Sequence, residues 1–200
     1  TTMEAALVEP AAVGMHAAIL GEARLGKSIV ILGAGTIGLM VLQACKSLGA
    51  TDITVVDVMD KRLDLAKELG ASRTINGAKE DTVALLRSEE LFGDHGVELV
   101  FECAGSTFTA NQAVQIVARG GKIMMVGTQS KPVPIDFLKI NREVTIQTSF
   151  RYCNNYPQTI EAIRSGKFNV KDMVTHVYDY KDVQQAFMDA IDPEKKTDMV

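Results

Sequence analysis

The sequence predicts an α/β fold in which six parallel strands form a doubly wound sheet, in the order 3-2-1-4-5-6, with helices on both faces. Three observations predict this fold. Short apolar runs alternate along the chain with segments of helical periodicity. A glycine-rich turn follows the first run, and an aspartate ends the second. Because parallel strands need a crossover, usually a helix, this alternation favours a parallel sheet over hairpins.

The first predicted strand is the run SIVIL at residues 28–32, and Gly33, Gly35 and Gly38 follow it in the pattern G-x-G-x-x-G. Gly33 permits a tight turn, Gly35 lets the backbone approach a ligand phosphate, and Gly38 lets the next helix pack against the strand. That helix begins near Thr36 with its N-terminus facing the anion. The pattern indicates a dinucleotide-binding turn of the Rossmann type rather than an ordinary glycine-rich loop.

Asp57 ends the second predicted strand, nineteen residues after Gly38. A carboxylate at this place accepts hydrogen bonds from both hydroxyls of an adenosine ribose and repels a 2′-phosphate, so NAD is favoured over NADP. Arg62 either stacks on the adenine, binds a 2′-phosphate or is a solvated residue of the next helix. With Asp57 in place, stacking is preferred to the phosphate contact.

The later elements are predicted from the same alternation. Strands are placed on short apolar runs bounded by turn residues, and helices where apolar residues recur every three or four positions. The predicted strands cover residues 28–32, 53–57, 73–75, 97–102, 122–126 and 144–150. The predicted helices cover residues 37–48, 61–69, 81–91, 107–118, 156–165 and 181–191.

Three further turns are candidate ligand contacts, because ligands of such sheets bind beyond the carboxyl ends of the strands, where the strand order reverses. These turns are residues 103–105, beginning with Cys103, residues 126–128 and residues 149–151. By position alone, an ordinary turn that ends a strand is the somewhat favoured interpretation of each.

The composition describes a globular chain of 200 residues, with 46% hydrophobic and 23% charged residues and a net charge of −4. Scattered basic residues argue against nucleic acid and anionic membranes as partners, and no apolar run reaches membrane-spanning length. We therefore expect a cytoplasmic protein. The three cysteines form neither a disulfide framework nor a C-x-x-C metal motif.

The predicted domain organisation has a central unit and two flanks. Residues 27–152 are expected to form the dinucleotide-binding domain. Residues 1–26 are alanine-rich and include no partner strand, and residues 153–200 carry two helix-like segments. Both flanks are interpreted as parts of a second, catalytic domain whose remainder is missing.

Several stretches resemble the medium-chain, zinc-dependent alcohol and polyol dehydrogenases, with the sorbitol dehydrogenases as the nearest branch. The resemblance covers almost the whole chain. Its most specific parts are residues 7–17 (LVEPAAVGMHA), 33–46 (GAGTIGLMVLQACK), 150–157 (FRYCNNYP) and 174–177 (VTHV), with Phe187 beyond. The FRYCN stretch separates polyol dehydrogenases from general alcohol dehydrogenases.

The resemblance implies an enzyme that moves a hydride between NAD and a secondary alcohol carbon of a polyol, with Zn²⁺ polarising the alcohol oxygen. In the family the main zinc ligands lie in the N-terminal catalytic domain, so this chain is expected to bind NAD without turning over substrate. Glu9 matches an additional acid at the metal, and on the residues alone it is an acid before Pro10. Self-association through the last sheet strand, residues 144–150, is also expected.

The resemblance also carries residue roles onto this sequence. Arg151 and Tyr152 match catalytic positions that face the substrate, where a guanidinium hydrogen-bonds polyol hydroxyls. The matched cofactor contacts are Ile37, Asp57, Arg62, Val126, Gly127, Thr128, Phe150 and Arg151.

Three alternatives remain open at this point. Another medium-chain dehydrogenase, acting on threonine or a butanediol, shares the glycine turn and Asp57. An S-adenosylmethionine methyltransferase also has a glycine-rich first turn, although its glycine pattern differs and its sheet ends in an antiparallel hairpin. The third alternative is a non-catalytic NAD sensor, but a sensor would not need Glu9, Arg151 and Tyr152 at positions that match metal and substrate contacts.

Overall fold

The computed structural model describes residues 1–140 and 142–191. The strands of the described part are β1 (Ser28–Leu32), β2 (Asp52–Asp57), β3 (Arg73–Asn76), β4 (Val97–Glu102), β5 (Val117–Met125) and β6 (Thr145–Thr148). The helices of that part are α1 (Thr2–Ala6), α2 (Val8–Leu20), α3 (Thr36–Ser47), α4 (Asp60–Glu68), α5 (Thr82–Leu86), α6 (Thr107–Ile116), α7 (Tyr156–Arg164) and α8 (Val183–Ile191). Within these residues no helix has both the length and the apolar character needed to cross a bilayer.

The six strands form one parallel sheet in the order β3-β2-β1-β4-β5-β6, which confirms the predicted strand order. Ile29 of β1 is paired with Ile53 of β2 on one side and with Leu99 of β4 on the other. Because β4 follows β3 in the chain but lies beside β1, the strand order reverses between β1 and β4. The carboxyl ends of these two strands therefore flank the cleft in which such folds bind ligands.

The core lies on both faces of the sheet because alternate residues of each strand point to opposite sides. On one face Ile29 and Ile31 of β1 are buried with side chains of α2 and α3. On the other face Val30 and Leu32 are buried with Ala113 and other residues of α6. Each fully buried aliphatic side chain of this size stabilises the fold by about 1.5–3 kcal/mol relative to an exposed one.

Residues 1–26, for which the sequence predicts no strand or helix, contain the two helices α1 and α2. α2 buries Ala11, Met15 and Ala18 and packs closely against α3. A Cβ placed on Gly14 would lie 2.5 Å from the carbonyl carbon of Met40, so the two helix backbones are in direct contact there. This segment therefore shares the core of the sheet. The domain boundaries at 27–152 and 153–200 stay predictions. Residues 192–200 lie outside the described part.

Several element boundaries differ from those predicted. α5 ends at Leu86 rather than 91, and the next residue, Arg87, directs its guanidinium to the carbonyls of Gln115 and Val117. α6 ends at Ile116, and β5 begins at once at Val117 rather than at 122, with an irregular register opposite β4. β6 covers only Thr145–Thr148, because these are the residues paired with β5.

Candidate functional site

The glycine turn after β1 has the geometry that its three glycines predict. Gly33 has φ +105°, a value that L side chains rarely adopt, and a Cβ there would lie 2.9 Å from the backbone nitrogen of Ala104. A Cβ on Gly38 would lie 1.8 Å from the carbonyl oxygen of Gly33, so α3 can approach the turn only with glycine at this position. These two glycines are therefore required by the fold itself.

Gly35 differs from its neighbours because the fold does not require it. Its φ of −70° suits any residue, and no atom of the described residues outside its immediate neighbours lies within 4 Å of a Cβ built there. Gly35 is the N-cap of α3 and, as a glycine, has no side chain of its own to cap the helix. An open space in front of a helix N-terminus is suited to an anion such as a pyrophosphate.

Asp57 is buried at the end of β2, where it holds two turns together. Oδ2 accepts a 2.7 Å hydrogen bond from the N–H of Ala34, and Oδ1 accepts bonds of 2.8 and 3.0 Å from the N–H groups of Val58 and Met59. The guanidinium Nη1 of Arg62 lies 3.8 Å from Oδ2. Each carboxylate oxygen accepts about two hydrogen bonds, so capacity remains for a ligand hydroxyl.

A cavity of about 350 Å³ lies over this edge of the sheet, between the ends of β1, β2 and β4. It brings together five residues that the sequence nominated as cofactor contacts: Gly33, Gly35, Asp57, Arg62 and Cys103. Burial and the neighbouring Glu102 carboxylate hold the pKa of the Cys103 thiol well above its usual range. Cys103 is therefore a lining residue and not a nucleophile at neutral pH.

Two features of this edge, one charged and one aromatic, were missed by sequence reasoning. Glu102 ends β4 as Asp57 ends β2, and its fully buried carboxylate accepts four hydrogen bonds. Phe108, at the start of α6, lines the cavity with 69% of its surface exposed. An acid at the end of a strand beside β1 was a signal available in the sequence, whereas the exposure of Phe108 was not.

The loop after β5 contains Val126, Gly127 and Thr128, which the family resemblance nominated. The N–H groups of Val126 and Gly127 donate to the carbonyl oxygen of Glu102 at 2.9 and 2.8 Å. A Cβ on Gly127 would lie 2.3 Å from the backbone nitrogen of Gly105, so the turn after β4 touches this loop. The structure thus places these nominated residues beside the turn that carries Cys103.

The turn after β6 carries Phe150 and Arg151, which are not among the residues that line the 350 Å³ cavity. Phe150 is 80% exposed, and the guanidinium carbon of Arg151 lies 5.3 Å from the centre of its ring. Arg151 has φ +52°, an uncommon value for a residue with a side chain. Arg151 is therefore an exposed side chain on a turn with a strained backbone, and its guanidinium lies over the exposed Phe150 ring.

The ring of Tyr152 packs at a tilt of 37° against that of Tyr156 of α7, with ring centres 4.9 Å apart. The hydrogen bond with the Tyr152 phenol, loss of hydration and the charge of Glu9 raise the pKa of Tyr156 to about 12. Asn155 ties this turn to α2, because its Nδ2 donates a 3.0 Å bond to the carbonyl of Ala12. Glu9 and Tyr152, which the resemblance assigned to metal and substrate, therefore lie on the same side of the molecule.

The described residues contain no group of three or more His, Cys, Asp or Glu side chains that converge as metal ligands. Glu9 is exposed in the first turn of α2. Structural and catalytic zinc sites use at least three protein ligands. Residues 1–140 and 142–191 therefore do not by themselves fit a zinc ion.

Comparison with known proteins identifies relatives over nearly the full chain. The model of the zinc-binding dehydrogenase family matches residues 36–165. The zinc-type alcohol dehydrogenase-like protein YdjJ of Escherichia coli is 63% identical over 194 residues, covering 97% of this chain and 55% of that protein. Sorbitol dehydrogenase of Bacillus subtilis is 39% identical over 191 residues, covering 94% of this chain and 53% of that enzyme. The chain thus spans about half the length of these relatives.

A solved structure gives the same result for the fold. The crystal structure of an Escherichia coli oxidoreductase/dehydrogenase of unknown specificity superimposes with a TM-score of 0.94 and 61% identity, covering 98% of this chain and 56% of that one. The family model covers more than half of the residues of this chain. The family predicted from the sequence motifs is confirmed: the chain belongs to the zinc-binding dehydrogenases.

Proposed function

We propose that this chain is the NAD-binding portion of a zinc-dependent dehydrogenase that transfers a hydride between a polyol and NAD. One observation carries the proposal. The open space at Gly35 lies in front of the N-terminus of α3, and the buried carboxylate of Asp57 lines the same cavity. A pyrophosphate on the helix end and a ribose on the carboxylate fit this arrangement.

Each part of the cleft has a role in this proposal. The backbone of the turn at Gly33–Gly38, with Thr36 and Ile37 in the first turn of α3, binds the pyrophosphate. Asp57 accepts a hydrogen bond from a hydroxyl of the adenosine ribose, and Arg62 packs beside the adenine. The loops at Cys103, at Val126–Thr128 and at Phe150–Arg151 lie on the other side of β1 and contact the nicotinamide half. NAD, when bound, supplies the hydride acceptor.

The substrate is proposed to be a polyol. The five N–H donors of Arg151 suit neighbouring hydroxyl groups, and the phenol of Tyr152 adds a further donor. The bond from Asn155 to Ala12 holds the turn that carries Tyr152 against α2, the helix that carries Glu9, as expected of a carboxylate near the metal. The 39% identity with a sorbitol dehydrogenase supports the same substrate class.

The domain arrangement follows from the same proposal. Residues 27–152 form the dinucleotide-binding unit, and residues 1–26 and 153–200 connect it to a catalytic region that holds the main zinc ligands. This chain alone is proposed to bind NAD in the cytoplasm without oxidising an alcohol. Two copies are proposed to pair through β6, which lies at one edge of the sheet and has no further strand beside it in the described chain.

Calorimetric titration of the chain with NADH, NADPH and S-adenosylmethionine tests the cofactor. We expect NADH to bind at least about tenfold more tightly than NADPH, because Asp57 repels a 2′-phosphate. Binding of S-adenosylmethionine alone, or of none of the three, would refute NAD binding by this chain. The absence of tryptophan makes calorimetry preferable to intrinsic fluorescence.

Gly35→Ser is the matched variant for that titration. A serine N-cap is expected to stabilise α3, since its hydroxyl accepts from the helix N–H groups, while the same hydroxyl fills the anion site. NADH affinity should fall about tenfold or more, and the melting temperature should stay equal or rise. Loss of binding in a variant of equal or higher stability cannot result from unfolding, whereas unchanged affinity would exclude this helix end as the pyrophosphate site.

The substrate class is tested on a complete zinc-type dehydrogenase that carries this chain as its coenzyme half. Sorbitol, threonine and 2,3-butanediol are compared by kcat/KM with NAD. Arg151→Ala is expected to lower kcat/KM for the polyol about tenfold, with less change for butanediol, which has fewer hydroxyl groups. A higher kcat/KM for threonine or butanediol than for every polyol would refute the polyol proposal.

A further inference from the structure

Glu102 lies at the carboxyl end of β4 with its side chain fully buried. Its Oε1 accepts hydrogen bonds from the N–H groups of Ala104 and Gly105, at 3.0 and 2.9 Å, and from the hydroxyl of Thr109 at 2.7 Å. Its Oε2 accepts a 2.9 Å bond from Nε2 of Gln129. The turn after β4, the start of α6 and the loop after β5 are thus all hydrogen-bonded to one carboxylate.

The loop after β5 is fixed a second time by the same residue. The carbonyl oxygen of Glu102 accepts from the N–H groups of Val126 and Gly127. A Cβ on Gly127 would lie 2.9 Å from Oε2 of Glu102, and a Cβ on Gly105 would lie 2.6 Å from the carbonyl oxygen of Thr128. Because the two loops touch backbone to backbone, the position of one determines the position of the other.

The four donors to the Glu102 side chain are two backbone amides, a hydroxyl and a carboxamide, all uncharged. Burial of a carboxylate is costly unless hydrogen bonds satisfy it, and these four bonds offset that cost. Removing the carboxylate would leave two loop N–H groups and the Gln129 amide without their acceptor. The loops on this side of β1 would then lose their common anchor.

Asp57 anchors the opposite side of the cleft. It ends β2 and holds the turn at Ala34, whereas Glu102 ends β4 and holds the loops next to β5. Since β1 lies between β2 and β4, the two carboxylates flank the glycine turn. A dinucleotide with its pyrophosphate on that turn and its adenosine beside Asp57 must place its nicotinamide half on the Glu102 side.

We infer that Glu102 is a positioning residue for the nicotinamide half of the cofactor, acting through Gly105, Gly127 and Thr128. The inference rests on the proposed function, because it requires a dinucleotide in the cleft. It predicts that Glu102 affects binding of the whole cofactor but not of its adenosine half. AMP, which contains only that half, is therefore the reference ligand.

The test is a calorimetric titration of the full chain and its variants with NADH and with AMP. Glu102→Ala is expected to weaken NADH about tenfold and AMP less than about twofold. Glu102→Gln keeps an oxygen for the three donors to Oε1, and the Gln129 amide can rotate to accept from the new amide. We expect Glu102→Gln to stay within about threefold of the wild type for both ligands.

Gln129→Leu is the second variant, because Glu102→Ala removes several buried hydrogen bonds and could prevent folding. It breaks only the bond between Oε2 and the loop after β5, and it should weaken NADH about threefold with AMP unchanged. Gln158→Leu, at an exposed position on α7, is the matched control and should change neither affinity.

The outcomes separate this inference from the proposed function. Equal weakening of NADH and AMP in Glu102→Ala and Gln129→Leu would overturn the positioning role while NAD binding by the wild type stood. A Glu102→Gln variant that binds NADH as weakly as Glu102→Ala would also overturn it. The glutamine keeps the hydrogen bonds that hold the loops, so loop position would then not determine NADH affinity. Failure of the wild type to bind NADH would refute the proposed function, and the inference with it.

Discussion

The N–H of Ala34 donates a 2.7 Å hydrogen bond to Oδ2 of Asp57, and this bond joins the glycine turn after β1 to the end of β2. The other carboxylate oxygen holds the turn that follows β2, through the N–H groups of Val58 and Met59. Asp57 therefore determines the shape of the cleft in addition to presenting an acceptor to a ligand. Its substitution is expected to have two separable effects.

Asp57→Ala should lower the free energy of unfolding by about 2 kcal/mol, because three backbone N–H groups lose their acceptor at a buried site. It should also remove the preference for NADH over NADPH, since no carboxylate would remain to repel the 2′-phosphate. Urea unfolding measures the first effect and calorimetry the second. Asp64→Ala, at an exposed position of α4, is the control and should alter neither. An unchanged unfolding free energy in Asp57→Ala would contradict the anchoring role.

Gly38→Ala should destabilise the fold by about 2 kcal/mol or more. The new Cβ would lie 1.8 Å from the carbonyl oxygen of Gly33, so α3 must move away from β1, and such overpacking has costs of this order. Gly35→Ala, in the same turn but facing open space, is the matched comparison and should cost less than about 1 kcal/mol. Equal unfolding midpoints for the two variants in urea would show that the contact between Gly38 and Gly33 is not tight.

Ultraviolet titration of the four tyrosines should contain a component with a pKa of about 12, assigned to Tyr156. The cause is the Tyr152 phenol beside it, followed by loss of hydration. Tyr156→Phe should remove that component, and Tyr152→Phe should return the pKa of Tyr156 towards its usual value of 10.0. Tyr180→Phe, at a position that is 89% exposed, should leave the high component in place.

The same shift determines the sign of a pH effect on stability. The unfolded chain should release the Tyr156 proton near the usual pKa of 10.0, and the folded chain nearer pH 12. The stabilising contribution is therefore complete below pH 10 and is lost as the pH rises towards 12. Urea unfolding across this range should show less loss of stability in Tyr156→Phe than in the wild type, and an identical loss in both would contradict the shift.

Thr148→Pro should disrupt self-association and leave the fold intact. Ser149 donates its N–H to Met125 of β5, and successive residues of a strand alternate in direction, so the N–H of Thr148 points to the outer edge of β6. Proline is tolerated where the missing N–H faces outwards. Gln147→Pro, whose N–H points towards β5, should instead unfold the edge of the sheet. Sedimentation velocity measures the oligomer, and a dimer that persists in Thr148→Pro would exclude pairing through β6.

The sequence alone determined the fold class, the strand order and the family. The fold class and the strand order follow from local signals: the alternation of apolar runs with helical periods, the spacing of Gly33, Gly35 and Gly38, and the acid at Asp57. The family follows from the resemblance of longer stretches, residues 7–17, 33–46 and 150–157 among them. Such signals are readable because each depends on residues within one strand, turn or helix. The roles assigned to Glu9, Arg151 and Tyr152 came from the resemblance and stay predictions until the titrations and assays are made.

Only the tertiary structure decided which of these residues meet and what else holds them. The register of β5 against β4, the packing of Gly14 on Met40, and the four hydrogen bonds to Glu102 all join residues distant in the chain. No local pattern encodes such contacts, because they exist only after the sheet has brought the strand ends together. The sequence specified a glycine-rich turn of the pattern typical of dinucleotide binding, and the buried carboxylates on either side of β1 shape the cleft around it.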